Sequence, residues 1–222
     1  MSKRGQGAVD LDADKARALE LTPVSRETEQ RLDMFVELLL LWQQKFNLVA
    51  SSTLPQIWTR HIADSLQLLP LAPEARIWVD FGSGAGFPGI PIACALANTP
   101  GAMVHLVESV GKKAYFLRAV ERAIGLPAQV HQERAEKFAE TCAETVHVVT
   151  ARALSPLKTL CDQAFPLIAR GALGLFPKGQ DVDAELTEAA KYWRLEASIV
   201  PSVTSPTGRI VIVRGLKPLR SP

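Results

Sequence analysis

The chain holds 222 residues, 47% hydrophobic and 22% charged, with a net charge of +2 at pH 7. These values fit a soluble globule of one α/β domain with a sizeable core and a short extension. They exclude the overall basicity of a histone or a ribosomal protein, so any nucleic-acid footprint must be local.

Residues 1 to about 20 mix Gly, Ala, Asp, Lys and Arg without an apolar period and are expected to be frayed or disordered. No apolar segment follows Lys3 and Arg4, so no signal peptide is expected. Ser25 has the character of a helix N-cap, with Glu27 and Glu29 in the first turn. Leu32, Phe35, Val36, Leu39, Trp42 and Phe46 recur at three- and four-residue intervals, which predicts a long amphipathic helix. The run Leu38 to Trp42 is too short to span a bilayer. A second helix is predicted from Pro55 to Leu69, stopped by Pro70 and Pro73. Together they predict a helical cap over residues 21–75, ahead of a sheet domain over 76–222.

From Arg76 strand and helix alternate. Strands are predicted at Ile77–Phe81, Met103–Glu108, Ala128–Gln132, Val146–Ala151 and Ala172–Phe176. The helix Lys112–Ile124 carries Leu117, Val120 and Ile124 on one stripe and ends at Gly125. A charged helix follows Pro177, and Leu195–Val200 with Arg209–Arg214 close the chain as an antiparallel pair. This order predicts a doubly wound, Rossmann-like sheet of about seven strands, the last antiparallel. Cys94, Cys142 and Cys161 show no C-x-x-C spacing and read as thiols of a reducing cytosol, with no metal site. A cytoplasmic protein is expected, and nothing demands more than a monomer.

The most informative stretch is Asp80-Phe81-Gly82-Ser83-Gly84-Ala85-Gly86-Phe87-Pro88-Gly89. It lies between a strand and the apolar segment Ile90 to Leu96, so it places backbone N–H groups and a helix start against a ligand. Two patterns overlap in it. Gly84, Gly86 and Gly89 match the dinucleotide fingerprint G-x-G-x-x-G, with Glu108 about 20 residues further on. Asp80, Gly82, Gly84 and Gly86 match the D-x-G-x-G-x-G turn of methyltransferases that use S-adenosylmethionine. The second register starts directly after the strand, where the tightest turn must be, and it accounts for Asp80. Position therefore favours S-adenosylmethionine. A nicotinamide-dependent oxidoreductase and a noncatalytic RNA-binding module remain as rivals.

Ligands of open α/β sheets sit beyond the carboxyl ends of the strands, where strand order reverses. Glu108 is there to accept from ribose hydroxyls, or else stands as an acid beside a helix start. Ser109 is a second polar contact or a cap, and Ala135-Glu136 lie beside an adenine ring or on a solvated helix. Arg152 follows an apolar strand, so its charge grips a carboxylate, steers substrate, or joins a structural ion pair. No Asn/Asp-Pro-Pro-Tyr/Phe motif follows that strand, and no cysteine is placed to attack a pyrimidine. An acceptor that is already nucleophilic suits a site without an evident general base.

These residues resemble the ribosomal small-subunit RNA methyltransferase G family, also called glucose-inhibited division protein B. The resemblance rests on the glycine turn with Phe87-Pro88-Gly89-Ile90-Pro91, on Trp42 to Leu48, and on Arg60 to Leu66. It continues through Ser109 to Lys113, Arg134-Ala135-Glu136, Thr150 to Ala153, and Lys178-Gly179, in order from about residue 25 to 214. It implies methyl transfer from S-adenosylmethionine to N7 of one guanine in a loop of 16S ribosomal RNA. Guanine N7 carries an in-plane lone pair and no proton, so positioning supplies much of the rate. By the resemblance, Gly82, Phe87, Ala135, Glu136 and Arg152 fall at the cofactor. Glu108 stands where the family more often has Asp. Asn47, Arg60, His61 and Lys178 are expected beside the target base, although His61 also fits the core of the cap. Lys112, Lys113, Arg209, Arg214, Lys217 and Arg220 are candidate phosphate contacts or ordinary solubilising charge.

Overall fold

A computed structural model describes residues 11–152 and 154–219. The cap comprises α1 (Leu11–Leu21), α2 (Arg26–Gln43), a 3-10 turn at Ser51–Gln56, a π-helical turn at Trp58–Ala63, α3 (Asp64–Leu66) and a 3-10 turn at Leu69–Leu71. The sheet domain follows as β1 (Ile77–Phe81), α4 (Gly89–Leu96), β2 (Met103–Val107), α5 (Gly111–Ile124), β3 (Ala128–His131) and α6 (Ala135–Thr141). It is completed by β4 (Val148–Ala151), α7 (Leu157–Ile168), β5 (Leu173–Lys178), α8 (Val182–Ala189), β6 (Trp193–Pro201) and β7 (Arg209–Pro218).

The seven strands lie in the order β3-β2-β1-β4-β5-β7-β6. The first five pair in parallel, and β7 runs antiparallel to both β5 and β6. The final hairpin thus inserts its second strand beside β5 and leaves its first strand at the edge. Chain direction across the sheet reverses between β1 and β4, which puts the ligand crevice beyond the ends of those two strands. The period-2 alternation of β1 feeds both layers of the core. Trp78 joins Leu32, Phe35 and Leu39 of α2 on one face, while Val79 and Phe81 join Leu160 and Ala164 of α7 on the other. Each such fully buried side chain contributes about 1.5–3 kcal/mol.

Two expectations for the cap are corrected. Residues 11–20 are not disordered but form most of α1, because three interactions hold them. Ala18 is buried, Lys15 bridges to Glu29 and Asp33 of α2 at 2.7 Å each, and Asp14 reaches the π-helical turn. The preceding residues fall outside those described. The helix expected at Pro55–Leu69 is instead broken into a 3-10 turn, a π-helical turn and α3. Pro55 lies in the first of these pieces, and Asp14 Oδ2 accepts the Trp58 and Thr59 amides at 2.8 and 3.3 Å. A distant carboxylate therefore does the work of an N-cap and starts a new helical segment there.

Asp14→Ala is expected to leave those two amides without their partner and to cost about 1–2 kcal/mol of stability. Urea unfolding would register this as a lower midpoint at unchanged slope, with faster hydrogen exchange at Trp58 and Thr59.

Candidate functional site

The glycine turn closes on itself. Gly82 and Ser83 donate their amides to Val107 O, and Gly86 and Phe87 donate theirs to Ser83 O. The Gly84 amide goes to Glu108 Oε2 at 2.9 Å, while Glu108 Oε1 accepts from the Val110 amide at 2.7 Å. Gly82 has φ +64°, and a Cβ there would stand 2.5 Å from Leu154 Cδ1. At Gly89 a Cβ would collide with Leu106 and lie 2.8 Å from Asp80 Oδ2, which accepts the Gly89 amide at 3.0 Å. Glycine is required at the first position by backbone and space, and at the second by close approach alone.

Asp80 is fully buried beneath the turn, and its Oδ1 has no hydrogen-bond partner among the described residues. Burial pushes its carboxyl up to about 7. Glu108 is almost as deeply buried, with each oxygen already accepting one amide. Two acids thus flank a turn whose N–H groups are largely spent. A pyrophosphate needs free N–H groups to receive it. This turn suits a ligand with a positive centre and hydroxyls to donate, and it disfavours a dinucleotide.

Arg152 meets the turn from the other side. Its Nη2 donates to His61 Nδ1 at 2.6 Å, its Nη1 donates to Arg60 O at 3.1 Å, and Asp64 Oδ2 lies 3.5 Å away. The guanidinium stands 5.2 Å from the Phe87 ring centroid, and the His61 ring stacks on the same ring at 4.8 Å and 29°. Burial, with Arg152 and Arg60 nearby, pushes His61 down to about 3. The ring is therefore neutral, with Nδ1 accepting from Arg152 and Nε2–H donating to Thr53 Oγ1 at 3.0 Å. His61, expected in the cap core or beside the base, is buried in the cap and lines a cavity.

That cavity, of about 1190 Å³, opens where β4, β5 and the β6–β7 loop meet the cap. Arg60, Asp64, Arg152, Lys178, Thr204 and Arg209 are among its lining residues. Asp64 Oδ1 accepts from Thr204 Oγ1 at 2.7 Å and from Gln67 Nε2 at 2.8 Å, and Gln67 Oε1 accepts the Val203 amide. The loop between the last strands is thereby tied to the same cap residues that hold Arg152. Sequence reading missed Asp64, Gln67 and Thr204; the only signal was the hydroxyl-rich Ser202–Thr207 stretch between two strands.

Other expected residues lie elsewhere. Asn47 is exposed at the end of α2 and does not line the cavity. Lys178 is nearly buried, donating to Ser155 O and pairing with Glu185, both at 2.7 Å. It braces the loop after β4 and is not free to meet a phosphate. Glu136 accepts from Gln163 Nε2 at 2.8 Å, whereas Ser109 is exposed and Ala135 is packed. Arg209 and Lys217 stand at opposite ends of β7, about 26 Å apart by the strand rise, so the basic tail is not one patch. Arg220 lies outside the described residues. Cys94 and Cys161 are buried, and burial pushes both thiols up to about 12. No helix among the described residues is long and apolar enough to cross a membrane.

The sheet order, the antiparallel β7 and the turn after β1 define a class I methyltransferase fold. A solved SAH-bound methyltransferase of Podospora anserina superposes with a TM-score of 0.63 at 11% identity, covering 96% of this chain and 98% of that one. The family model described as rRNA small subunit methyltransferase G matches residues 28–212, and this chain belongs to that family. A ribosomal RNA small subunit methyltransferase G of Bradyrhizobium sp. (strain BTAi1 / ATCC BAA-1182) is 61% identical over 203 residues, 91% of each chain. One from Rhodopseudomonas palustris (strain BisB18) is 54% identical over 217 residues, 98% of this chain and 93% of the relative.

Because the folded-state value of His61 lies far below the unfolded one of about 6.5, the unfolded chain gains a proton first as pH falls. Wild-type stability is then lost below about pH 6.5 from this residue, on the order of 2 kcal/mol by pH 5. His61→Gln is expected to show a smaller difference between urea midpoints at pH 7 and pH 5 than the wild type does.

Proposed function

We propose that this chain transfers the methyl group of S-adenosylmethionine to N7 of one guanine in 16S ribosomal RNA. It acts as a monomer in the compartment that holds the ribosome, the cytoplasm. Family membership supports the ribosomal RNA substrate. The observation that carries the donor assignment is the pair of buried acids, Asp80 and Glu108, around a turn with few amides to offer.

The residues fit that donor. The orphaned Asp80 Oδ1 and the remaining lone pairs of Glu108 are complementary to ammonium and hydroxyl groups, and the glycines let the ligand reach the backbone. Gly82, Gly84, Gly86 and Phe87 would line one side of it, Glu108 and Ser109 would face its ribose, and Ala135 and Glu136 its adenine. When bound, S-adenosylmethionine supplies an electrophilic methyl group on a sulfonium.

The protein's task is placement. A guanine N7 placed there would take the methyl with its own lone pair as the sulfur let it go, so the residues around it would have no proton to move. Three of the four acids that line the cavity are engaged, Asp64 with Arg152, Glu185 with Lys178, and Asp14 with the cap amides, while Asp181 is exposed. A site whose buried and half-buried carboxylates serve as braces suits an acceptor that needs no base. Arg152, stacked on Phe87 and held by the cap, sets the distance between donor turn and cavity. Arg60 and Arg209 stand at the cavity to meet phosphates, with His61 acting through Arg152.

Tritium from labelled S-adenosylmethionine is expected in 16S ribosomal RNA, at one guanine, with N7 methylation read by chemical cleavage. Label in protein or in small molecules would reject the reading. Calorimetry is expected to show S-adenosylmethionine binding and no NAD binding. Glu108→Gln should weaken the donor roughly tenfold, the value of a charged hydrogen bond. Arg152→Ala should raise the RNA KM and weaken the donor together, since one side chain positions both.

A further inference from the structure

The end of α2 and the start of α5 carry a surface that neither the donor turn nor the cavity uses. Trp42 stands between Phe46 and Tyr115, 5.6 Å from each ring centroid, and rests on buried Phe116 at 5.4 Å. Tyr115 is 65% exposed and Phe46 36%. Lys45 adjoins Phe46, and Lys112 lies one helical turn before Tyr115, with Lys113 beside it. None of these lysines makes an ion pair or a side-chain hydrogen bond among the described residues. The first turn of α5 also contains no acid.

This surface lies at the ligand edge of the sheet. The segment Glu108–Val110 leads from β2 into α5, and Glu108 itself holds both the Gly84 and the Val110 amides. A protein partner burying these rings would also have to answer three unpaired ammonium groups. A single-stranded RNA answers both needs at once, with a base against an aromatic face and phosphates against lysines.

We propose that Trp42, Phe46 and Tyr115, with Lys45, Lys112 and Lys113, form a stacking platform for an unpaired nucleotide of the RNA strand that reaches the donor turn. The proposal rests on the ribosomal RNA substrate argued above and adds where a neighbouring nucleotide is held. Trp42 is the fixed floor, propped by Phe116, and Tyr115 is the exposed face. The lysines neutralise phosphates without reading sequence.

The test measures binding of a 16S ribosomal RNA fragment across a salt series, alongside donor calorimetry, thermal melting, and methylation of naked RNA and of small subunits. Tyr115→Ala is expected to weaken RNA binding roughly tenfold with donor affinity and melting unchanged, and Tyr115→Phe to bind as the wild type. Replacing Lys45, Lys112 and Lys113 together by Ala is expected to lower the slope of log affinity against log salt by about 2. RNA binding unchanged in Tyr115→Ala while the wild type methylates the RNA overturns the platform alone. Loss confined to intact subunits, with naked RNA bound normally, overturns it in favour of a protein partner. A wild type that neither binds nor methylates ribosomal RNA overturns the substrate reading and the platform with it.

Discussion

Glu108 does two things with one carboxylate. It takes the Gly84 amide, which shapes the turn after β1, and the Val110 amide, which sets the chain into α5. Because β1 and β2 are in register with Phe81 beside Val107, the end of β2 and the glycine turn lie side by side. An acid at that point is a structural clasp before any ligand arrives. Together with buried Asp80 it surrounds the turn with acceptor oxygens in place of free amides. Helix N-termini usually attract anions through free amides and the dipole. Here the amides are spent on Val107 O, Ser83 O and Glu108, so the turn keeps its shape and loses its anion preference.

The cap depends on the same turn through Phe87. That ring receives Phe35 from α2 at 5.2 Å, the His61 ring at 4.8 Å and the Arg152 guanidinium at 5.2 Å. A cation resting on an aromatic face and a neutral imidazole stacked beside it form a desolvated junction between cap and sheet. Asp64 answers the Arg152 charge and also holds Thr204, so the junction extends to the loop between the last strands. Movement of the cap would have to break these half-buried polar and aromatic contacts together. The cavity wall and the donor turn are therefore joined through one set of side chains.

Much of the architecture was legible because it follows from local rules. β1 falls where the apolar run ends at the glycines, α5 ends at a Gly125 with φ +71°, and Ser25 caps α2 by accepting the Thr28 amide. The errors arose where long-range partners overrule local pattern. Residues 11–20 lack an apolar stripe, yet Asp14 and Lys15 find charges and amides 14 to 45 residues away. The Pro55–Leu69 stretch has helical composition, but the same Asp14 restarts it at Trp58. Glycine spacing alone left two cofactors open; the start of the turn directly after β1 favoured S-adenosylmethionine, and the hydrogen-bond partners of each amide agree with that choice. Lys178 reads as an exposed strand-end cation, and only its contacts with Ser155 and Glu185 reveal a brace.

A net charge of +2 conceals a division that the fold creates. Asp80 and Glu108 gather at the donor turn, while beyond the Phe87 junction the cavity wall sets Arg60, Arg152 and Arg209 among Asp14, Asp64 and Glu185. Methyl transfer from a sulfonium to a ring nitrogen of RNA asks for that arrangement. The donor arrives positive and the acceptor strand arrives negative, so a uniformly basic crevice would repel one and a uniformly acidic crevice the other. Burial sharpens the contrast, since charges at a desolvated boundary interact more strongly than on an open surface. Such local separation leaves no trace in composition. A chain can therefore look electrostatically ordinary while its crevice holds both signs of charge at fixed places.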